Sequence, residues 1–203
     1  MNTDQLTWYV ARSSGFVAWG LVVASILWGL VMATGILRRR AHPAWMLSMH
    51  KFLGVLTMVF VGVHVVAILL DGYVHFGLVD VLVPLASSWH PVAVACGIVG
   101  MYLLVAIQAT SWLRRHLSPK VWRTVHLTSY ALLAVTTIHL LAAGTDVKAL
   151  LATAVAVALG ITVTMVAALT WAARSDVAEA ERLERIERLQ RLSRAPRTPA
   201  RSA

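Results

Sequence analysis

Residues 121–141 read VWRTVHLTSYALLAVTTIHLL, an apolar stretch that carries His126 near its start and His139 near its end. The stretch is long enough to cross a bilayer as a helix, because about 20 apolar residues span the hydrocarbon core. An ionisable side chain inside a membrane helix is costly and usually marks a functional site. The two histidines are therefore candidate functional residues, and the first question is how many such helices the chain contains.

The rest of the chain is similarly apolar. Of its 203 residues, 59% are hydrophobic and 13% are charged, and the mean hydropathy is +0.73. Five runs are long enough to span a membrane: Ser13–Leu37, Met46–Leu70, Pro91–Leu113, Trp122–Gly144 and Ala149–Ala173. None has the polar face that a helix of a soluble bundle needs. The sequence predicts an all-α, multi-pass protein of the inner or plasma membrane, with five transmembrane helices in contact with lipid.

Basic residues in the short connections predict the orientation. They concentrate after the first and third segments and beyond the fifth, at Arg38–Arg40, Arg114, Arg115, Lys120, Arg123 and eight further arginines. The loop Asp71–His90 contains neither Lys nor Arg. We therefore expect the amino terminus outside and the carboxyl terminus in the cytoplasm. The net charge of +9 largely reflects this asymmetry, so it does not indicate a nucleic-acid partner.

The last thirty residues, 174–203, differ in composition from residues 1–173. Pairs such as Glu184–Arg188 place Glu four residues before Arg, the order that supports an exposed helix. We expect two regions: a transmembrane domain, 1–173, and a cytoplasmic charged helix with a disordered tail, 174–203. A helix that docks a partner is the alternative for the second region.

Histidines recur on the second apolar segment, at His50 and His64. The spacing of fourteen residues corresponds to about 21 Å of helical rise, and the thirteen residues from His126 to His139 correspond to about 20 Å. The second and fourth segments run parallel, so His50 and His126 share a depth near the cytoplasmic face, and the other two share a depth near the outer face. This arrangement predicts two b-type haems, each bound between two imidazoles, and makes region 1–173 a haem-binding transmembrane domain.

The azimuth of the histidines is a difficulty for this prediction. At about 100° per residue, His50 and His64 lie roughly 40° apart around their helix, whereas His126 and His139 lie roughly 140° apart. A straight fourth helix could not direct both imidazoles at one partner helix. We therefore expect a bulge or local unwinding between His126 and His139.

Other candidate groups lie at predicted membrane edges. Four histidines are expected to be solvated or interfacial: His42, His75, His90 and His116. Five tryptophans lie where an aromatic belt explains them without a role in electron transfer: Trp8, Trp45, Trp89, Trp112 and Trp122.

The paired spacing resembles a known family. Two histidines separated by thirteen residues on one helix and by twelve on a second, parallel helix are similar to the transmembrane domain of ferric reductases and NADPH oxidases. The wider family includes the haem-binding membrane subunit of the bacterial methionine sulfoxide reductase system. The stretch WRTVHLTSYALLAVTTIHLLAAGTD, Trp122 to Asp146, resembles the fourth-helix region of bacterial ferric-reductase-like proteins. The resemblance covers about residues 14 to 145.

The resemblance implies the axial ligands of two b-type haems, which are His50, His64, His126 and His139. Two basic residues, Lys51 and Arg123, are expected to bind the cofactor by pairing with propionates of the inner haem. The alternative is that they only set topology. Gly54 and Gly62 are candidates for letting the macrocycle approach the backbone of the second helix.

The family's larger oxidases carry flavin and nicotinamide domains, whereas about thirty residues follow the fifth segment here. Since a domain needs about 50 residues or more, we expect any flavin on a partner chain. The leading interpretation is an oxidoreductase component that passes electrons from a cytoplasmic donor to an outer acceptor. The donor is a soluble flavoprotein reductase or a quinone.

Two alternatives stay open. One is a quinone-linked cytochrome b anchor subunit of a larger oxidoreductase. The other, from a different class, is a small proton or metal transporter. The sequence leaves the electron acceptor undecided among a ferric chelate, oxygen, a quinone and a protein.

Overall fold

The computed structural model describes residues 3–34, 43–72, 74–144, 160, 163 and 182–190. Within the first three ranges, the helices in chain order are α1 Thr3–Thr34, α2 Pro43–Leu69, α3 Leu78–Leu82, α4 Pro91–Trp112, α5 Pro119–Leu127 and α6 Ser129–Ala143. A short 3-10 turn, Arg114–His116, lies between α4 and α5. The described residues contain no strand, which confirms the all-α prediction for this part of the chain.

Four helical stretches in the described residues are long and apolar enough to cross a membrane: Gln5–Ala33, Pro43–Leu69, Pro91–Trp112 and Pro119–Ala143. They confirm a multi-pass membrane protein. The fifth predicted segment, Ala149–Ala173, lies outside the described residues except for Gly160 and Val163, which are helical. The first helix begins at Thr3 rather than near Ser13.

Proline marks the start of three of these helices. Pro43, Pro91 and Pro119 are the first residues of α2, α4 and α5. Proline suits this position because the first N–H groups of a helix lack an intrahelical partner and its fixed φ matches the helix. At α5, Ser118 also caps the helix, since its Oγ accepts a hydrogen bond from the Val121 N–H at 3.3 Å.

The helices pack as two antiparallel pairs, α1 with α2 and α4 with α6. Smaller contacts of α1 with α6 and of α2 with α4 join the pairs. Tryptophan side chains tie α1 to both neighbours: the Nε1–H of Trp28 donates to the Met46 carbonyl at 2.9 Å, and that of Trp19 donates to Thr137 Oγ1 at 3.0 Å. These bonds satisfy indole N–H groups that would otherwise be unpaired in a dry interior.

The outward face of α2 is apolar. Its exposed stripe follows helical spacing and consists of Phe52, Val55, Val59, Val63 and Val66. Met46, Thr57 and Ala67 are buried on the same helix. An apolar stripe on the exposed side is unfavourable in water but suits contact with lipid chains.

The chain divides into two compact units, Met1–Val163 and Thr164–Ala203. In the second unit, residues 182–190 are helical and all exposed. The division into regions 1–173 and 174–203, like the orientation of the termini, stays a prediction.

Candidate functional site

The loop-end pair of histidines lies near the loop that joins α2 to α4. His64 of α2 and His139 of α6 have ring centroids 6.2 Å apart and ring planes at 82°. The Nδ1 of His64 lies 2.6 Å from the Ala11 carbonyl, and that of His139 lies 2.8 Å from the Ala93 carbonyl. Because a carbonyl only accepts, each Nδ1 carries the proton and each Nε2 keeps its lone pair. Both imidazoles are therefore in the tautomer that binds a metal through Nε2.

Glycines let these two imidazoles reach their carbonyls. Gly15 and Gly97 each lie four residues after the accepting alanine on the same helix. A Cβ at Gly15 would lie 3.0 Å from Cε1 and Nδ1 of His64, and one at Gly97 would lie 2.8 Å from the same atoms of His139. These separations are shorter than normal contact between heavy atoms, about 3.5 Å. A side chain at either position would therefore displace the ring.

The basic-end pair lies beside the basic residues that follow α4. His50 of α2 and His126 of α5 have ring centroids 5.9 Å apart and ring planes at 69°. Gly29 of α1 faces His50, since a Cβ there would lie 3.3 Å from Cε1 of the imidazole. Four residues earlier on α1, Ser25 places its Oγ 3.5 Å from the Nδ1 of His50. His50 thus also lies against a glycine, but a serine hydroxyl at the limit of hydrogen-bond distance takes the place of the backbone carbonyl.

Three of the four imidazoles therefore share an arrangement that we call a glycine seat. In it, a glycine lies against the imidazole ring, and the residue four positions before that glycine faces Nδ1. The seats are Ala11–Gly15, Ser25–Gly29 and Ala93–Gly97. The sequence contained a signal for two of them. Gly15 and Gly29 are fourteen residues apart on α1, the spacing of the histidines on the neighbouring antiparallel helix.

The glycines singled out from the sequence lie elsewhere. A Cβ at Gly54 would meet the side-chain amide of Gln108 on α4 at 3.0 Å. Among the described residues, no atom lies within 4 Å of a Cβ at Gly62, which lines an apolar groove between α1 and α2 with Val10 and Val66. Neither glycine faces a histidine, and their role in letting a macrocycle approach the backbone of α2 stays a prediction.

Among the described residues, no glycine lies against the ring of His126. Its ring stacks on Trp122, with centroids 5.1 Å apart and planes at 22°. The guanidinium carbon of Arg114 lies 4.2 Å from the centroid of the same indole. The Nδ1 of His126 is buried and meets no acceptor among the described residues. The i,i+4 spacing of Trp122 and His126 was a sequence signal for this contact.

A break in the fourth span resolves the azimuth of its histidines. α5 ends at Leu127 and α6 begins at Ser129, and the N–H of Thr128 donates to the carbonyl of Val125 at 3.0 Å, three residues earlier. This tighter bond interrupts the regular α-helical ladder between His126 and His139. The local unwinding expected from the sequence is present, and both imidazoles face histidines of α2.

The spacing within each pair suits two axial ligands of one metal. A bond from a metal to an imidazole nitrogen is about 2.0–2.1 Å, so two rings on opposite sides of an ion have centroids roughly 6 Å apart. The observed values are 5.9 and 6.2 Å. Among the described residues, no group of three or more His, Cys, Asp or Glu could hold an ion. Paired imidazoles thus suit a metal whose other ligands come from a planar macrocycle.

The remaining predicted residues lie at the surface. Lys51 follows His50 on α2, Arg123 lies on α5, and both are exposed at the basic end. Three of the edge histidines, His75, His90 and His116, are exposed as expected, and His42 lies outside the described residues.

Comparison with known protein families identifies the family to which this chain belongs. The profile of the family described as ferric reductase like transmembrane component matches residues 14–137, more than half of the chain. The chain belongs to this family. The matched residues include His50, His64 and His126 and end just before His139. No curated protein and no solved structure was found to match.

Ferric reductase like domains generally bind haem, and haem is a planar macrocycle of the kind that the histidine pairs suit. The family makes this chain a membrane electron-transfer component. The finer assignments, of cofactor number, donor and acceptor, are proposals.

Proposed function

We propose that the chain is a transmembrane b-type cytochrome with two haems, one at each histidine pair. The observation that carries the proposal is the pair of centroid separations, 5.9 and 6.2 Å, on helices that hold the two pairs at different depths. Bound haem iron supplies one-electron chemistry by alternating between the ferric and ferrous states. The electrons run from a donor at the basic end, taken as cytoplasmic, to an acceptor at the outer, loop end.

The protein's own residues orient the ligands. At the loop end, the carbonyls of Ala11 and Ala93 hold the proton on Nδ1, so Nε2 of each histidine is available to the metal. The hydrogen bond from Nδ1–H to the carbonyl also makes each imidazole a more basic ligand. Buried apolar side chains between the two ends, including Val22, Val23 and Leu132, exclude water from the path.

Two exposed basic residues at the basic end are proposed to pair with the haem carboxylates there. Lys51 follows the ligand His50, and Arg123 precedes His126 by three residues on α5. Such exposed pairs contribute about 0–1 kcal/mol. Transfer of haem to apomyoglobin should therefore be only a few-fold faster from Lys51→Gln or Arg123→Gln than from the wild type, and equal rates would remove this role.

The donor is proposed to be a soluble flavoprotein, and a quinone in the membrane is the competing donor. Arg114, Arg115, Lys120 and Arg123 are all exposed beside the basic-end pair. This charge suits an acidic docking surface and would steer it to the ligand His126.

A visible difference spectrum of the purified protein tests the proposal. Reduced-minus-oxidised spectra should show the sharp bands of low-spin b-type haem, since two imidazoles per iron give a six-coordinate centre. A colourless protein would leave the proton or metal transporter as the interpretation of the buried histidines. Reduction by a quinol analogue without any flavoprotein would favour the anchor-subunit alternative.

A further inference from the structure

Trp122 differs from the tryptophans of an aromatic belt. A belt tryptophan directs its N–H to water or headgroups, and Trp45 and Trp112 are 52% and 65% exposed in keeping with this. The Nε1 of Trp122, in contrast, is buried and meets no acceptor among the described residues. Packing against other rings, rather than a hydrogen bond at the membrane surface, therefore determines the orientation of Trp122.

The rings around Trp122 connect the basic surface to a ligand histidine. The indole stacks on His126 with centroids 5.1 Å apart, and the exposed Arg114 places its guanidinium carbon 4.2 Å from the indole centroid. Trp122 precedes His126 by one helical turn, so it lies on the surface side of that ligand. Among the described residues, none of the other three paired histidines stacks on a tryptophan ring.

Resting on the proposed function, we infer that Trp122 is the residue through which electrons reach the basic-end haem. Electron transfer falls off steeply with distance and is faster through contacting π systems than through gaps. The Trp122 ring contacts both Arg114, where the donor would dock, and the imidazole of His126.

The step transfers one electron and no proton. With haem bound, a reduced flavin would lose one electron, and the iron that His50 and His126 would hold would gain it. The indole is neither reduced nor oxidised, since the nearby guanidinium opposes removal of an electron from the ring. Trp122 is therefore a coupling residue, with no bond made or broken.

Stopped-flow reduction of the oxidised protein by photoreduced flavin mononucleotide tests this role. The variants are Trp122→Leu, which removes the π system, and Trp122→Phe, which keeps one. Trp45→Leu is the matched control, because Trp45 lies on α2, five residues before His50, and contacts Trp28 rather than a histidine. The haem content and the midpoint potential of each haem are measured on the same preparations.

We expect Trp122→Leu to slow reduction by about tenfold or more, because an aliphatic side chain interrupts the ring contact between Arg114 and His126. Trp122→Phe should restore most of the rate, Trp45→Leu should equal the wild type, and haem content and potentials should not change. A wild-type rate in Trp122→Leu would overturn the inference. So would loss of the basic-end haem in that variant, which would make Trp122 a support for His126. Wild-type protein without haem would refute the proposed function itself.

Discussion

At the scale of single residues, a histidine in a membrane helix needs an acceptor for its ring N–H, because the lipid interior supplies none. His64 and His139 take backbone carbonyls of the neighbouring helices as acceptors. Those carbonyls are reachable because the residue four positions later is glycine, which leaves room for the ring. The seat therefore does two things at once: it fixes the tautomer and it brings the two helices close together.

The seats predict that Gly15→Ala and Gly97→Ala will each weaken binding of the loop-end haem. The added methyl would lie 3.0 or 2.8 Å from the imidazole, so the ring must move off its carbonyl. We expect about a 10- to 100-fold loss of affinity, seen as a fall of the haem-to-chain ratio from two towards one.

Gly20→Ala is the control for these variants, because no atom of the described part of the chain lies within 4 Å of a Cβ at that position of α1. Alanine favours a helix over glycine by about 1 kcal/mol, so a weakened helix cannot explain lost haem. Full occupancy of the loop-end site in both Gly15→Ala and Gly97→Ala would contradict the role of the seats.

At the scale of secondary structure, the break at Thr128 sets how α5 and α6 are rotated relative to each other. It lets His126 face His50 while His139 faces His64. An alanine inserted after Ala134, within α6, should turn His139 by about 100° relative to the start of that helix. We expect loss of the loop-end haem with retention of the basic-end haem, measured by spectral redox titration.

An alanine inserted after Ala86, an exposed residue of the loop before α4, is the control for this insertion. It changes chain length without rotating a histidine, so both haems should remain. Two intact haems in the α6 insertion variant would show that the rotation of α6 does not determine the site.

The sequence predicted the spans and the pairing of histidines better than it predicted the groups around them. Apolar runs and the matched spacings of His50–His64 and His126–His139 depend on length and helical rise, which are local quantities. The glycine seats depend on the register between α1 and α2, which no single helix reveals. Trp122 illustrates the same limit. Its position at a membrane edge predicted a belt tryptophan, and only its stacking on His126 and its buried N–H distinguish it from one.

At the scale of the whole molecule, the direction of electron flow depends on the orientation in the membrane. The Lys/Arg bias predicts that a reporter fused after Ala203 is cytoplasmic and that a tag in the loop 72–89 is accessible from outside. Labelling of intact cells compared with opened cells measures both. A loop tag that reacts only after the inner face is exposed would reverse the proposed path.

Docking of an acidic donor should depend on the charges at the basic end. Arg115→Gln combined with Lys120→Gln removes two exposed cations and leaves Arg114 on Trp122. We expect reduction by a reduced flavodoxin, used as an acidic flavoprotein, to slow several-fold at low salt. The difference should vanish as salt rises, since exposed charges are screened over about 10 Å at 0.1 M.

Arg185→Gln combined with Arg188→Gln makes the same change in net charge within the exposed helix 182–190. It should leave the rate at low salt close to that of the wild type. Equal slowing by both pairs would mean that net charge, rather than a docking surface beside His126, governs the encounter.

The haem-to-chain ratio of the wild type and two double variants tests the central claim, that each histidine pair holds one haem. His64→Ala/His139→Ala removes the loop-end pair, and His50→Ala/His126→Ala removes the basic-end pair. Pyridine haemochrome assay against protein concentration should give a ratio of about two for the wild type and about one for each double variant. A wild type without haem, or double variants that keep the full wild-type ratio, would contradict the account.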